Sequence, residues 1–162
     1  MTTSGPEVNF KTLLKRPASF IAFGFGTGLA PKAPGTVGTL VALPIYWLIQ
    51  DWSLLAYISV VVAAFIVGIW ICQTTVDWLK QQDPSSIVWD EVVGYLVTMT
   101  AAPAGWHWMV AGFVLFRLFD IWKPWPVSLA DKKLHGGLGI MLDDVVAGLY
   151  AALTMWLIAL FF

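Results

Sequence analysis

Apolar residues in this chain fall in long uncharged runs and not in the short alternations that mark a half-buried strand. Four runs stand out, at 33–50, 52–76, 92–116 and 145–162. Each approaches the roughly 20 apolar residues that a helix needs to cross a lipid bilayer. The third is interrupted by Pro103-Ala104-Gly105, a turn signal, and divides into helices over 90–102 and 106–122. The pattern therefore predicts an all-α, polytopic membrane helix bundle of about five helices. A further stretch, 18–30, holds Gly24, Gly26 and Gly28 and is too short to cross comfortably, so it reads as an interfacial or re-entrant segment.

Composition strengthens this picture. Of 162 residues, 59% are hydrophobic and 12% charged, and the mean hydropathy is +0.77. A water-soluble domain of this length could not hide so much apolar surface, which makes lipid the expected solvent. Length fits one domain over 1–162, with 1–17 as a cytoplasmic N-terminal segment that lacks the features of a cleaved signal peptide. Nine basic residues scattered among ten acidic ones form no basic stripe, so a nucleic-acid partner is not expected. Cys72 is the only cysteine, which excludes an intramolecular disulfide and a CxxC site.

Charge placement gives orientation. If the five helices alternate, the segments before 33, from 77 to 90 and from 117 to 144 share one side, and all nine Lys and Arg residues fall there. The positive-inside rule makes that side cytoplasmic, and the bacterial cytoplasmic membrane the expected location. Trp47, Trp52, Trp106 and Trp108 then sit near the outer turns, and Trp78, Trp89, Trp122 and Trp125 near the inner loops, as two aromatic belts.

The same map gathers carboxylates. Asp90 and Glu91 open one predicted helix, Asp120 closes the next, and Asp143 and Asp144 open the last, so five acids arrive at one face. One acid alone is accounted for by the preference of helix N-termini for negative charge. Two adjacent pairs plus Asp120 exceed that need and mark a functional cluster. A weak internal echo, DEVVGY at 90–95 against DDVVAG at 143–148, puts a glycine one turn beyond each acidic pair, where helices could pack closely beneath the carboxylates. Asp77, Lys80, Asp83 and Asp131 read as solvated charges.

Several aspartates without soft ligands suit a hard cation, Mg2+ in particular, which is usually shared between carboxylates, water and a substrate phosphate. Zinc fits poorly, because His107 and His135 lie on opposite sides. Groups that suit a phosphate surround the acids: Arg117 and Lys123 flank Asp120 by three residues each way, and Lys132, Lys133 and His135 precede Gly136-Gly137.

Four segments, GFGTGLAPKAPGTVGT at 24–39, SIVWDEVVGY at 86–95, FRLFDIWKPWP at 116–126 and HGGLGIMLDDVVAG at 135–148, closely resemble the phosphatidylglycerophosphatase A family of bacterial inner-membrane enzymes. That resemblance covers the chain from about residue 18 onward. It implies Mg2+-dependent hydrolysis of phosphatidylglycerophosphate to phosphatidylglycerol and inorganic phosphate. It also implies metal-binding and catalytic roles for Asp90, Glu91, Asp120, Asp143 and Asp144, and substrate contacts for Thr36, Arg117, Lys123 and His135.

Elimination agrees. Cys72 is followed by QTTVDW and not by a phosphate-binding loop, and the Asp-x-Asp-x-Thr pattern is absent. Metal-assisted hydrolysis remains, either by water or through an aspartyl-phosphate. Two other classes stay open at this point. One is a headgroup transferase of the CDP-alcohol type; the other is a cation transporter, which would be expected to carry its charges near the bilayer midplane and not at helix ends.

Overall fold

The computed structural model describes residues 6–100, 102–125 and 135–161, and every regular element among them is helical. Two short helices come first, α1 (Phe10–Leu14) and α2 (Pro17–Ala22), then a single 3-10 turn (Thr27–Leu29). Five longer helices follow: α3 (Pro34–Ile49), α4 (Leu54–Leu79), α5 (Trp89–Thr98), α6 (Trp106–Trp122) and α7 (Gly136–Ala159). With six residues, α2 is only about 9 Å long and cannot cross a bilayer. The 18–30 stretch is therefore a short helix plus a glycine turn, as its composition suggests.

Helix α7 is the centre of the bundle and packs against α4, α5 and α6, while α3 lies on α5 and α2 on α4. The most extensive packing is between α5 and α7. A Cβ on Gly94 would strike the Phe116 ring and the Asp144 carbonyl, and one on Gly148 would strike the Gly94 carbonyl and Val97. The two glycines of the sequence echo thus let two backbones meet one turn beyond the acidic pairs. Thr98 closes the crossing, its hydroxyl donating to the carbonyls of Gly94 at 3.0 Å and Gly148 at 3.4 Å.

Three long-range bonds set the register of α5. The Tyr57 hydroxyl donates to the Leu96 carbonyl at 2.7 Å, the Tyr95 hydroxyl to Met109 at 3.0 Å, and the Trp89 indole N–H to Ala64 at 3.1 Å. Trp89 is thus an internal clamp between α4 and α5 and not a member of the inner aromatic belt. The last bond also fixes depth. Ala64 is the eleventh residue of the 26-residue α4, so α5 begins about 15 Å from the Leu54 end of a helix about 39 Å long.

Two boundaries differ from the sequence expectation. Helix α5 stops at Thr98, because the chain turns through Met99 and Ala102 ahead of Pro103. Helix α7 starts at Gly136, nine residues before the expected 145, so Asp143 and Asp144 do not open it but lie two turns inside. The GGLG run reads as a loop, yet its bare backbone is what allows contact with α4. A Cβ on Gly137 would strike the Ile69 carbonyl, and the Gly137 N–H donates to the Gln73 side chain at 2.9 Å.

Two helices, α4 and α7, are long and apolar enough to cross a membrane. For α4 the mean hydropathy of the most apolar window is 2.6, yet only 22% of it is buried. A core helix of a soluble protein would be mostly covered; here Leu55, Ile66 and Trp70 are exposed. The fold is a membrane helix bundle.

Gly148→Ala should lower the midpoint of thermal unfolding in detergent by the equivalent of about 1–3 kcal/mol, since its methyl group meets a backbone carbonyl that cannot swing aside. An unchanged midpoint would mean that the crossing is looser than described.

Candidate active site

Four elements deliver the site. The first turn of α5 brings Asp90 and Glu91, the end of α6 brings Arg117 and Asp120, the third turn of α7 brings Asp143 and Asp144, and α3 starts against them. Gly35, in the first turn of α3, is buried, and a Cβ there would strike the Glu91 carboxylate and approach the Arg117 guanidinium. A helix N-terminus therefore abuts the acids, with Thr36 half-buried in the same turn.

Asp90, Glu91 and Asp144 form the tightest group, each offering an oxygen within 4.8 Å of the others. Asp120 adjoins Asp144 and is bound by Arg117, whose Nη1 donates to Oδ2 at 2.5 Å and lies 3.7 Å from Glu91 Oε1. Lys123, the left-handed cap of α6, pairs with Asp143 at 2.7 Å. The five predicted acids are thus brought together, as are Arg117 and Lys123. His135 caps α7 and is exposed, but it lines a cavity with Asp143. Lys132, Lys133 and Asp131 lie outside the described residues.

Charge balance shows what the group demands. Among the described residues, Asp90, Glu91, Asp120 and Asp144 share one guanidinium, and Asp144 is 3% exposed. Four buried polar atoms, Asp90 Oδ1, Glu91 Oε2, Asp144 Oδ2 and Arg117 Nε, have no hydrogen-bond partner among the described residues. Buried carboxylate oxygens left bare cost several kcal/mol unless a cation, a proton or a ligand meets them. Three carboxylates from two helices, each with one such oxygen, could hold a hard divalent cation, and the Arg117 Nε could donate to an anion beside it.

The depth of this cluster corrects the picture of acids at helix ends. Asp90 and Glu91 do open a helix, but that helix starts beside Ala64, and Gly68 contacts Trp89 and Met141. The carboxylates therefore lie near the middle of α4, so depth does not separate this protein from an ion pathway.

Four participants are not evident from sequence. Gly35 acts through the side chain it lacks. Gln73 anchors the start of α7. Gln82 and Asp83 line the same cavity as His135 and Asp143. Asp83 is exposed, as its reading as a solvated charge requires.

A helical membrane bundle whose buried carboxylates are interleaved with an arginine and a lysine carries the groups that bind a phosphate together with a cation. Comparison with known proteins gives the family: residues 20–159 match the model for phosphatidylglycerophosphatase A, and the chain belongs to that family. It is 43% identical over 148 residues to phosphatidylglycerophosphatase A of Escherichia coli (90% of this chain, 85% of that one). It is 39% identical over 150 residues to the Haemophilus influenzae protein of the same name (91% and 92%). A Bacteroides thetaiotaomicron protein, named provisionally as a phosphatidylinositol-3-phosphatase, is 38% identical over 160 residues (90% and 99%). No solved structure matches the chain.

Arg117→Met should strip Glu91 and Asp120 of their shared cation while keeping most of the side-chain volume. Loss of about 3 kcal/mol or more of stability is expected, read as a lower unfolding midpoint in detergent. A variant as stable as the wild type would show that these acids are neutralised by some other means.

Proposed function

We propose that this phosphatase hydrolyses the terminal phosphomonoester of phosphatidylglycerophosphate, leaving phosphatidylglycerol and inorganic phosphate as a step of phospholipid biosynthesis. The observation that carries the reading is the convergence of three carboxylates, each with one bare buried oxygen among the described residues, beside an arginine whose Nε has no partner there. Asp90, Glu91 and Asp144 are the residues that would hold Mg2+, with Asp120 and Asp143 completing the acidic surround. When bound, the ion supplies charge neutralisation and Lewis acidity toward the phosphoryl group.

The chain's own groups do the rest. Arg117 directs its Nε to a phosphoryl oxygen while its Nη1 stays on Asp120. Lys123 offers a second positive charge, and the first-turn N–H groups of α3 at Gly35 and Thr36 take another oxygen. One carboxylate of the cluster, on the side of the phosphorus away from the leaving glycerol, orients the attacking water and takes its proton. Water adds to phosphorus, the ester P–O bond breaks, and the departing glycerol oxygen is protonated. His135, at the cavity wall, contacts the substrate on that side.

The one-sided distribution of Lys and Arg supports a multi-pass arrangement in the bacterial cytoplasmic membrane with the cavity facing the cytoplasm. The mid-bundle position of the acids would equally suit cation transport, but membership in a phosphatase family favours hydrolysis over that reading and over a headgroup transferase.

Purified protein in detergent should release phosphate from phosphatidylglycerophosphate with Mg2+ and stop when a chelator is added. Asp144→Asn and Asp90→Asn should each lower the rate by about 100-fold or more at fixed Mg2+, through lost metal affinity. Asp51→Asn, at the opposite end of the bundle, should leave it unchanged. Full activity in both site variants, or indifference to chelator, would refute this assignment.

A further inference from the structure

Next to the carboxylates the structure holds a polar cavity of about 270 Å³, lined by Gln82, Asp83, His135, Gly136, Gly139, Ile140 and Asp143. It continues outward along the end of α4, past Lys80 and Gln81. Among the described side chains that line it, only Ile140 is a large apolar one. An acyl chain would leave these polar groups without hydrogen bonds, so the space suits a hydrophilic part of a ligand.

The charge of the wall narrows the choice. Asp83 shares the cavity with Asp143, which Lys123 pairs at 2.7 Å, and the Asp83 carboxylate favours a neutral group with a hydroxyl to donate. Gln82 adds a carboxamide that both donates and accepts. The glycerol unit esterified to the scissile phosphate, with its one free hydroxyl, meets these requirements, and the volume leaves room for it beside water.

Placement of the wall is firm. Pro84 is buried, the Ile87 N–H bonds to the Pro84 carbonyl at 2.9 Å, and the Val88 N–H bonds to the Ala22 carbonyl at 2.9 Å. Ser86 is pressed against Gly28, where a Cβ would collide with its carbonyl. The tether that carries Gln82 and Asp83 thus runs straight into Asp90 and Glu91, so wall and acids share one fixed frame.

We propose that Gln82 and Asp83 form a subsite for the hydroxylated headgroup next to the scissile phosphate and set the preference of the enzyme for lipid phosphates that carry a glycerol over those that do not. This rests on the phosphatase reading above. Neither residue belongs to the acid cluster, and both are exposed, so substitution leaves the core intact.

The test compares kcat/KM for phosphatidylglycerophosphate and for phosphatidic acid, which lacks the glycerol, in mixed micelles with Mg2+. In Gln82→Ala and Asp83→Ala the ratio of the two should fall roughly three- to tenfold, the worth of one hydrogen bond, mainly through KM for the glycerol-bearing lipid. Asp83→Asn should retain most of the ratio, since its carbonyl oxygen still accepts a hydroxyl. A ratio within twofold of wild type in both alanine variants, or proportional loss on both lipids, would overturn the subsite while leaving the phosphatase reading standing. Wild-type protein that releases phosphate from neither lipid would sink that reading and the subsite with it.

Discussion

Four carboxylates gathered around one guanidinium in the interior of an apolar bundle form the constraint on which this structure depends. Such a group is expensive to bury, and among the described residues Arg117 is the cation that pairs with Glu91 and Asp120. The architecture answers by making everything around the acids rigid. Two glycines let α5 and α7 touch, a tryptophan clamps α5 to α4, and a third glycine brings the start of α3 against Glu91 and Arg117. Each device trades side-chain volume or helix length for placement of charge. A bundle under no such demand would have used longer helices and larger interface residues.

Much of this was legible in the sequence, because uncharged runs and their interruptions map directly onto helices that must satisfy their own backbone. The spans 33–50, 52–76 and 106–122 correspond closely to α3, α4 and α6. The acids were legible too, since carboxylates are rare enough in such a chain that five on one side stand out. What escaped was depth. Asp143 and Asp144 seemed to open a helix because GGLG looks like a loop; in the fold those glycines are the contact surface of α7 on α4, and helix packing overrides their low propensity. Trp89 escaped for a similar reason. Its indole could float at an interface, but the Ala64 carbonyl draws it inside.

Residues that act through absence or through loop position were the hardest to find. Gly35 gives no sign in the sequence that separates it from its neighbours in APGTVGT, and only the collision its side chain would cause reveals why the position is bare. Gln82 and Asp83 look like ordinary surface residues. Their relation to Asp143 exists only because α7 starts early enough to put Gly136 and Gly139 across from them.

The brevity of α5 has a further consequence. At ten residues it fills less than half the height of α4, and the part of its column toward the Leu79 end of α4 is irregular backbone stitched to the Ala22 carbonyl. The cavities beside that backbone are lined by Gln81, Gln82, Asp83 and His135, so an anion that enters there exchanges hydration for polar side chains before it meets the acids.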